Sequence, residues 1–156
     1  MAEIAPETSI QISDINKLGP RERSDRPILV AEDSLLLSRM IQDALHKAGY
    51  ANLHMFSDGR ELWEYLAQLR DREDIRDQAA LVITDLEMPQ MDGHRLTKLI
   101  KEDPKLKQIP LIIFSSLISE EMRVKGKQLG ADEQLSKPEI GHLVDVMDQL
   151  LLREEH

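Results

Sequence analysis

The sequence predicts an α/β fold, a single doubly wound domain in which five parallel strands alternate with five helices. Three observations carry that expectation. Short apolar runs such as Ile28 to Ala31, Ala80 to Ile83 and Leu111 to Phe114 have the length and composition of strands buried on both faces. Between such runs, apolar residues recur at helical spacing, as in Leu37, Ile41, Ala44, Leu45 and Ala48. Polar residues cluster where the runs stop, and strand-helix alternation with right-handed crossovers puts all those stops on one edge of the sheet.

Composition bounds the rest. The 156 residues, 41% hydrophobic and 31% charged, suit one compact domain with a modest core. No run approaches a membrane span, and Met1 to Gln11 lacks the basic and apolar order of a signal peptide, so a cytoplasmic location is expected. Without cysteine there is no disulfide, thiolate nucleophile or cysteine-type zinc site, and the five histidines are not spaced as ligands. A formal net charge of -9 argues against nonspecific nucleic-acid or lipid binding and towards proteins or cations as partners.

Met1 to Asp25, with Pro6, Gly19 and Pro20 among polar residues, reads as a flexible linker, and the folded domain is expected over residues 26–153. The first strand ends in Glu32 and Asp33, followed by Ser34 as a helix cap. The apolar positions Leu37, Met40, Ile41, Ala44, Leu45 and Ala48 run to Gly49, a left-handed cap. Asn52 to Phe56 is a weaker strand. Asp58 and Glu61 form a capping box for a helix with the stripe Leu62, Tyr65, Leu66 and Leu69, and Arg70 to Asp77 reads as a solvated end. After the third strand, Leu96, Leu99 and Ile100 give a short helix stopped near Pro104, and Pro110 introduces the fourth strand, ended by Ser115 and Ser116. The helix Ser119 to Leu129 is poor, with Gly126 inside it at a cost of about 1 kcal/mol relative to alanine and a stripe of little more than Met122 and Leu129. A brief strand near Asp132 to Leu135 leads to Lys137, and Ile140, Leu143, Val144, Met147, Leu150 and Leu151 pattern the closing helix.

Glu32, Asp33, Asp85, Ser115 and Lys137 therefore fall at the C-terminal ends of different strands, where open parallel sheets bind ligands. Three carboxylates brought together repel unless a cation joins them, and an all-oxygen set suits a hard ion such as Mg²⁺. Lys137 adds a compact positive charge and Ser115 a hydroxyl donor, both suited to phosphoryl oxygens. Asp85 is then the nucleophile, and its attack on phosphorus gives a labile acyl phosphate.

On these residues the chain resembles a two-component response-regulator receiver domain over Pro27 to Leu152. The resemblance rests on Ile28-Leu-Val-Ala-Glu-Asp-Ser34, Thr84-Asp-Leu-Glu-Met-Pro-Gln-Met-Asp-Gly93, Pro110-Leu-Ile-Ile-Phe-Ser-Ser116 and Lys137-Pro138. It implies a flavodoxin-like (βα)5 sheet in the order 2-1-3-4-5, Asp85 as phosphoacceptor, and Mg²⁺ held by Asp33, Asp85 and the backbone carbonyl of Glu87, with Glu32 holding metal-bound water. Lys137 and Ser115 would bind the phosphoryl group, and Lys137-Pro138 is a candidate cis bond. The chain would be no enzyme beyond its own phosphorylation and dephosphorylation.

A narrower resemblance, to the C-terminal receiver of CheV-type chemotaxis proteins, rests on Ile113-Phe-Ser-Ser-Leu-Ile-Ser119, Lys125-Gly126, Gly130-Ala-Asp-Glu-Gln-Leu-Ser-Lys-Pro-Glu139 and Pro6-Glu-Thr-Ser-Ile10. It implies a histidine kinase of the CheA type as phosphodonor, contact with a chemoreceptor array through a CheW-like coupling domain missing from this chain, and residues 1–25 as the tail of the connecting linker. Two positions depart from the commoner receiver pattern. Gln134 stands where many receivers carry an aromatic switch, so output would pass through an amide, and Glu87 adds an anionic side chain beside the acyl phosphate. Two other functions compete. One is a docking module with a vestigial acidic site, which retention of all five site residues disfavours. The other is a Mg²⁺-dependent aspartyl-phosphate phosphohydrolase, which would carry Asp-x-Asp where this chain has Glu87 as its second acid.

Overall fold

The computed structural model describes residues 25–137 and 140–153. The expected linker lies outside them except for Asp25, and so does Pro138 with its expected cis bond. Five strands form one parallel sheet: β1 (Ile28–Ala31), β2 (Leu53–Phe56), β3 (Leu81–Thr84), β4 (Leu111–Ser115) and β5 (Glu133–Ser136). Their order is β2-β1-β3-β4-β5, with every neighbouring pair parallel. Five helices alternate with them: α1 (Leu35–Ala48), α2 (Gly59–Leu69), α3 (Gly93–Glu102), α4 (Glu120–Leu129) and α5 (Ile140–Arg153).

The two-residue period of a strand explains why the central runs are apolar throughout. Ile28 and Val30 point into one core with Leu81, Ile83, Ile112 and Phe114, covered by Ile41 and Leu45 of α1 and Leu143 and Met147 of α5. Leu29 and Ala31 point the other way, into a second core with Val82, Leu111 and Ile113, covered by Leu62 and Leu66 of α2 and Leu96 and Ile100 of α3. Burying one such leucine stabilises the fold by about 2 kcal/mol, so the three central strands hold the sheet. The edge strands are weaker in sequence because they are only half covered: β2 is half-buried throughout, and β5 buries only Leu135.

The helix ends follow the expected chemistry. The Ser34 hydroxyl accepts from the Leu37 N–H, Asp58 from Glu61, Asp92 from Arg95 and Ser119 from Met122, while Gly49 and Gly130 take left-handed φ values of 105° and 103°. The phenol of Tyr50, just past Gly49, donates to Asp148 and ties the end of α1 to α5.

Two expectations need correction and a third gains a physical reason. Arg70 to Asp77 is more than a solvated end: it runs into a helical turn, Ile75–Gln78, whose Ile75 is buried, and Arg70 pairs with the buried Asp103 at 2.8 Å. Met40, counted in the α1 stripe, is exposed, as are Leu35 and Leu36, because the core-facing side of α1 runs through Ile41 and Leu45. Gly126 is the one fully buried residue of α4, since a Cβ there would sit 2.4 Å from Oε1 of Gln134. That glycine lets α4 close on β5, a gain that sets off its poor helix propensity.

Candidate functional site

The site follows from strand register. Ala31 lies opposite Thr84 and Ser115 opposite Ser136, so the residues just past those pairs meet at one edge. The Asp85 N–H donates to the Ala31 carbonyl at 3.0 Å, and the Lys137 N–H to the Ser115 carbonyl at 2.8 Å. Parallel pairing thus carries Glu32, Asp85 and Lys137 into one cleft, with the buried Ser115 as the last residue of β4.

The loop from Asp85 to Gly93 is fixed by its own backbone. Oδ1 of Asp85 accepts the Leu86 N–H at 2.7 Å, and the Thr84 hydroxyl donates to the Asp85 carbonyl at 2.9 Å. Gly93 closes the loop by donating its N–H to the Leu86 carbonyl at 2.8 Å, and a Cβ there would fall 2.0 Å from the Asp85 carbonyl oxygen. Only glycine permits that approach. On the other side, Gly59 at the start of α2 leaves room for the Met91 carbonyl, which a Cβ would meet at 2.5 Å. Gln90, with φ of 68°, makes the turn between them.

Charge is concentrated here. The Lys137 ammonium, 6% exposed, bonds Glu32 and stands 3.2 Å from Oδ2 of Asp85. Glu32 also accepts the Ser34 N–H at 3.0 Å, which links the site to the first turn of α1. Burial pushes the Glu32 carboxyl above its usual range, and the Asp85 charge adds to this, while the bonds from Lys137 and Ser34 pull the other way. Asp33 is exposed at the mouth of the cleft, yet Glu32, Asp33 and Asp85 each offer an oxygen within 4.8 Å of the others. Three carboxylates against one ammonium leave an excess of negative charge, and the donor set is all oxygen. These residues fit a hard divalent cation.

Glu87 lies two residues beyond Asp85 with its side chain exposed. Gln134 does not join the cleft. Its side-chain N–H donates to the Arg123 carbonyl at 2.8 Å, Arg123 reaches back to the Gln134 carbonyl at 3.3 Å, and Oε1 is buried against Gly126 without a hydrogen-bond partner among the described residues. Reading the sequence for strand-end chemistry missed Leu35 and Leu36, 82% and 69% exposed beside the cleft. The available signal was two leucines in the first turn of α1, off its stripe. It also missed the direct Glu32 to Lys137 pair, which only the sheet register reveals.

The response regulator receiver domain model matches residues 28–148. Chemotaxis protein CheV2 of Helicobacter pylori is 33% identical over 129 residues, covering 83% of this chain and 40% of that protein, so the chain spans about two-fifths of that relative. Among solved structures, the signal receiver domain of a signal transduction histidine kinase from Syntrophus aciditrophicus is 30% identical with a TM-score of 0.69, over 81% of this chain and 89% of that one. The Mn²⁺-bound form of response regulator Rcp1 is 26% identical with a TM-score of 0.64, over 81% and 89%. The chain belongs to the response regulator receiver domain family.

Proposed function

We propose that the chain is the phosphoacceptor receiver of a chemotaxis signalling protein, taking a phosphoryl group from a histidine kinase of the CheA type onto Asp85. The observation that carries this reading is the Lys137 ammonium set against Asp85 and Glu32, beside a third carboxylate within ligand distance. Similarity to a chemotaxis protein supports the pathway, and the Mn²⁺-bound form of a related receiver supports the ion. Glu32, Asp33, Asp85 and the Glu87 carbonyl would hold Mg²⁺, which supplies positive charge against the phosphoryl oxygens.

A carboxylate oxygen of Asp85 attacks phosphorus in line, the P–N bond of the phosphohistidine breaks, and its electron pair returns to the imidazole. The Leu86 N–H on Oδ1 and the Lys137 ammonium near Oδ2 hold the carboxylate in place for that attack. Once charge has moved to Asp85, Lys137 binds a phosphoryl oxygen and the Ser115 hydroxyl turns towards another. The exposed Leu35 and Leu36, two and three residues after Asp33, give the donor an apolar footing in this reading.

Residues 26–153 form the receiver in this reading, and residues 1–25 lead to a CheW-like coupling domain that reaches a chemoreceptor array. No helix among the described residues is long and apolar enough to cross a membrane, and the proposed location is cytoplasmic. Phosphotransfer tests the reading: a CheA-type kinase labelled on histidine should pass its label to this chain in the presence of Mg²⁺. Retention of the label on the kinase would leave a docking module without phosphorylation.

A further inference from the structure

His94 is the second residue of α3, directly after the glycine that closes the Asp85 loop. Because the Gly93 N–H bonds Leu86 and its missing Cβ admits the Asp85 carbonyl, the first turn of α3 and that loop are packed as one piece. On its other side the imidazole faces α4, whose Met122 backbone and Lys125 charge both act on it. The helices α3 and α4 pack against each other, and α4 buries only Gly126 completely. His94 thus stands between the loop that would receive phosphate and the helix that has the fewest buried residues of the five.

The seating of the ring is incomplete. Its Nε2 is buried and has no hydrogen-bond partner among the described residues. A buried polar atom of that kind is costly, and an arrangement of the seam that offers it water or a polar group is correspondingly favoured. The charged groups acting on the ring are Lys125 from α4 and Asp92 from the preceding loop. Burial first, then Lys125, holds its pKa below the ordinary histidine value, against the Met122 backbone and Asp92.

We infer that His94 is a positioning residue that couples the Asp85 loop to α4, seating the α3 and α4 seam in an arrangement that gives way because Nε2 lacks a partner. A shift of the loop on phosphorylation carries the ring with it and loosens α4. Acid does the same from the other direction, since the protonated ring carries an N–H at Nε2 that finds no acceptor among the described residues, and a positive charge beside Lys125. A depressed histidine pKa means that the seam is held fully above the unfolded-state value and loses that support as pH falls through the folded one. The coupling to phosphate rests on the proposed function, whereas the acid response does not.

Hydrogen exchange of the 156-residue chain, corrected for intrinsic rates, tests this. Protection across residues 120–129 should fall about five- to tenfold between about pH 7.5 and about pH 5.5. Addition of beryllofluoride with Mg²⁺, a phosphoryl mimic, should lower it further. In His94→Phe, which fills the space without a polar atom, protection of α4 should rise and both responses at α4 shrink at least about threefold, with the response of residues 85–92 to beryllofluoride kept. His94→Leu provides the same comparison if the larger ring does not pack. His94→Gln should lose the acid response and keep that to beryllofluoride. An acid response that persists in His94→Phe and His94→Leu, or an undiminished beryllofluoride response at α4 in both, would overturn the inference. Absence of any beryllofluoride response at residues 85–92 in the unaltered chain would count against the proposed function instead, and the acid arm would still decide the role of His94.

Discussion

The Lys137 ammonium stands 3.2 Å from Oδ2 of Asp85 while bonding Glu32, so one buried cation holds two carboxylates that arrive from different strands. The pairing lets two acids sit side by side before any ion or phosphate is bound. The third acid, Asp33, at the mouth of the cleft, makes no ion pair among the described residues.

Asp33→Ala should weaken Mg²⁺ binding at least about tenfold, because it removes one of three convergent oxygens and the one most open to solvent. Calorimetric titration measures it directly. Affinity equal to that of the unaltered chain would show that the ion binds elsewhere.

Lys137→Ala should raise Mg²⁺ affinity and lower metal-free stability by about 3 kcal/mol, since Glu32 and Asp85 would be left buried without their cation. Added Mg²⁺ should restore part of that loss. Denaturant titrations with and without the ion compare the two states, and an equal loss in both would mean that lysine and metal do not share a site.

Glu32 has its pKa raised chiefly by burial, so the folded chain holds that proton more tightly than the unfolded one. This contribution to metal-free stability is fully present below the ordinary carboxylate range and is lost as pH rises through the raised value. Glu32→Gln should remove that decline while weakening the ion site. Parallel pH profiles for the two proteins in denaturant unfolding would contradict it.

Gly126 and Gln134 should be coupled. Gly126→Ala alone should destabilise despite the better helix propensity of alanine, because its Cβ meets the Gln134 amide, and it should stabilise by about 1 kcal/mol in a Gln134→Ala background. The double-mutant cycle measures the difference, and additivity would remove the contact from the account.

The strands were legible because the central ones bury both faces and so announce themselves as apolar runs, and each site residue sits where such a run ends, whereas their order was implied by the family resemblance alone. Strand-end placement carried Glu32, Asp33, Asp85, Ser115 and Lys137 to one edge of the sheet without coordinates. What escaped were relations between elements. Gly126 reads as a flaw in a helix until Gln134 is seen lying over it, and Met40 joins the apolar stripe until the core-facing side of α1 is fixed by α5. The buried Ile75 was hidden by the charged residues around it, whose partners include the distant Asp103 and Lys105 and leave no periodic trace. His94 gave no signal at all, since a single histidine is uninformative until its neighbours across the seam are known.

Incubation of the chain with Mg²⁺ and a small phosphodonor, followed by mass spectrometry of the base-labile adduct, tests the central claim most directly. One phosphoryl group should appear on Asp85, depend on Mg²⁺, and vanish in Asp85→Ala. Labelling of Asp85→Ala to the same extent, or no labelling of the unaltered chain with Mg²⁺ bound, would contradict the assignment of Asp85 as phosphoacceptor.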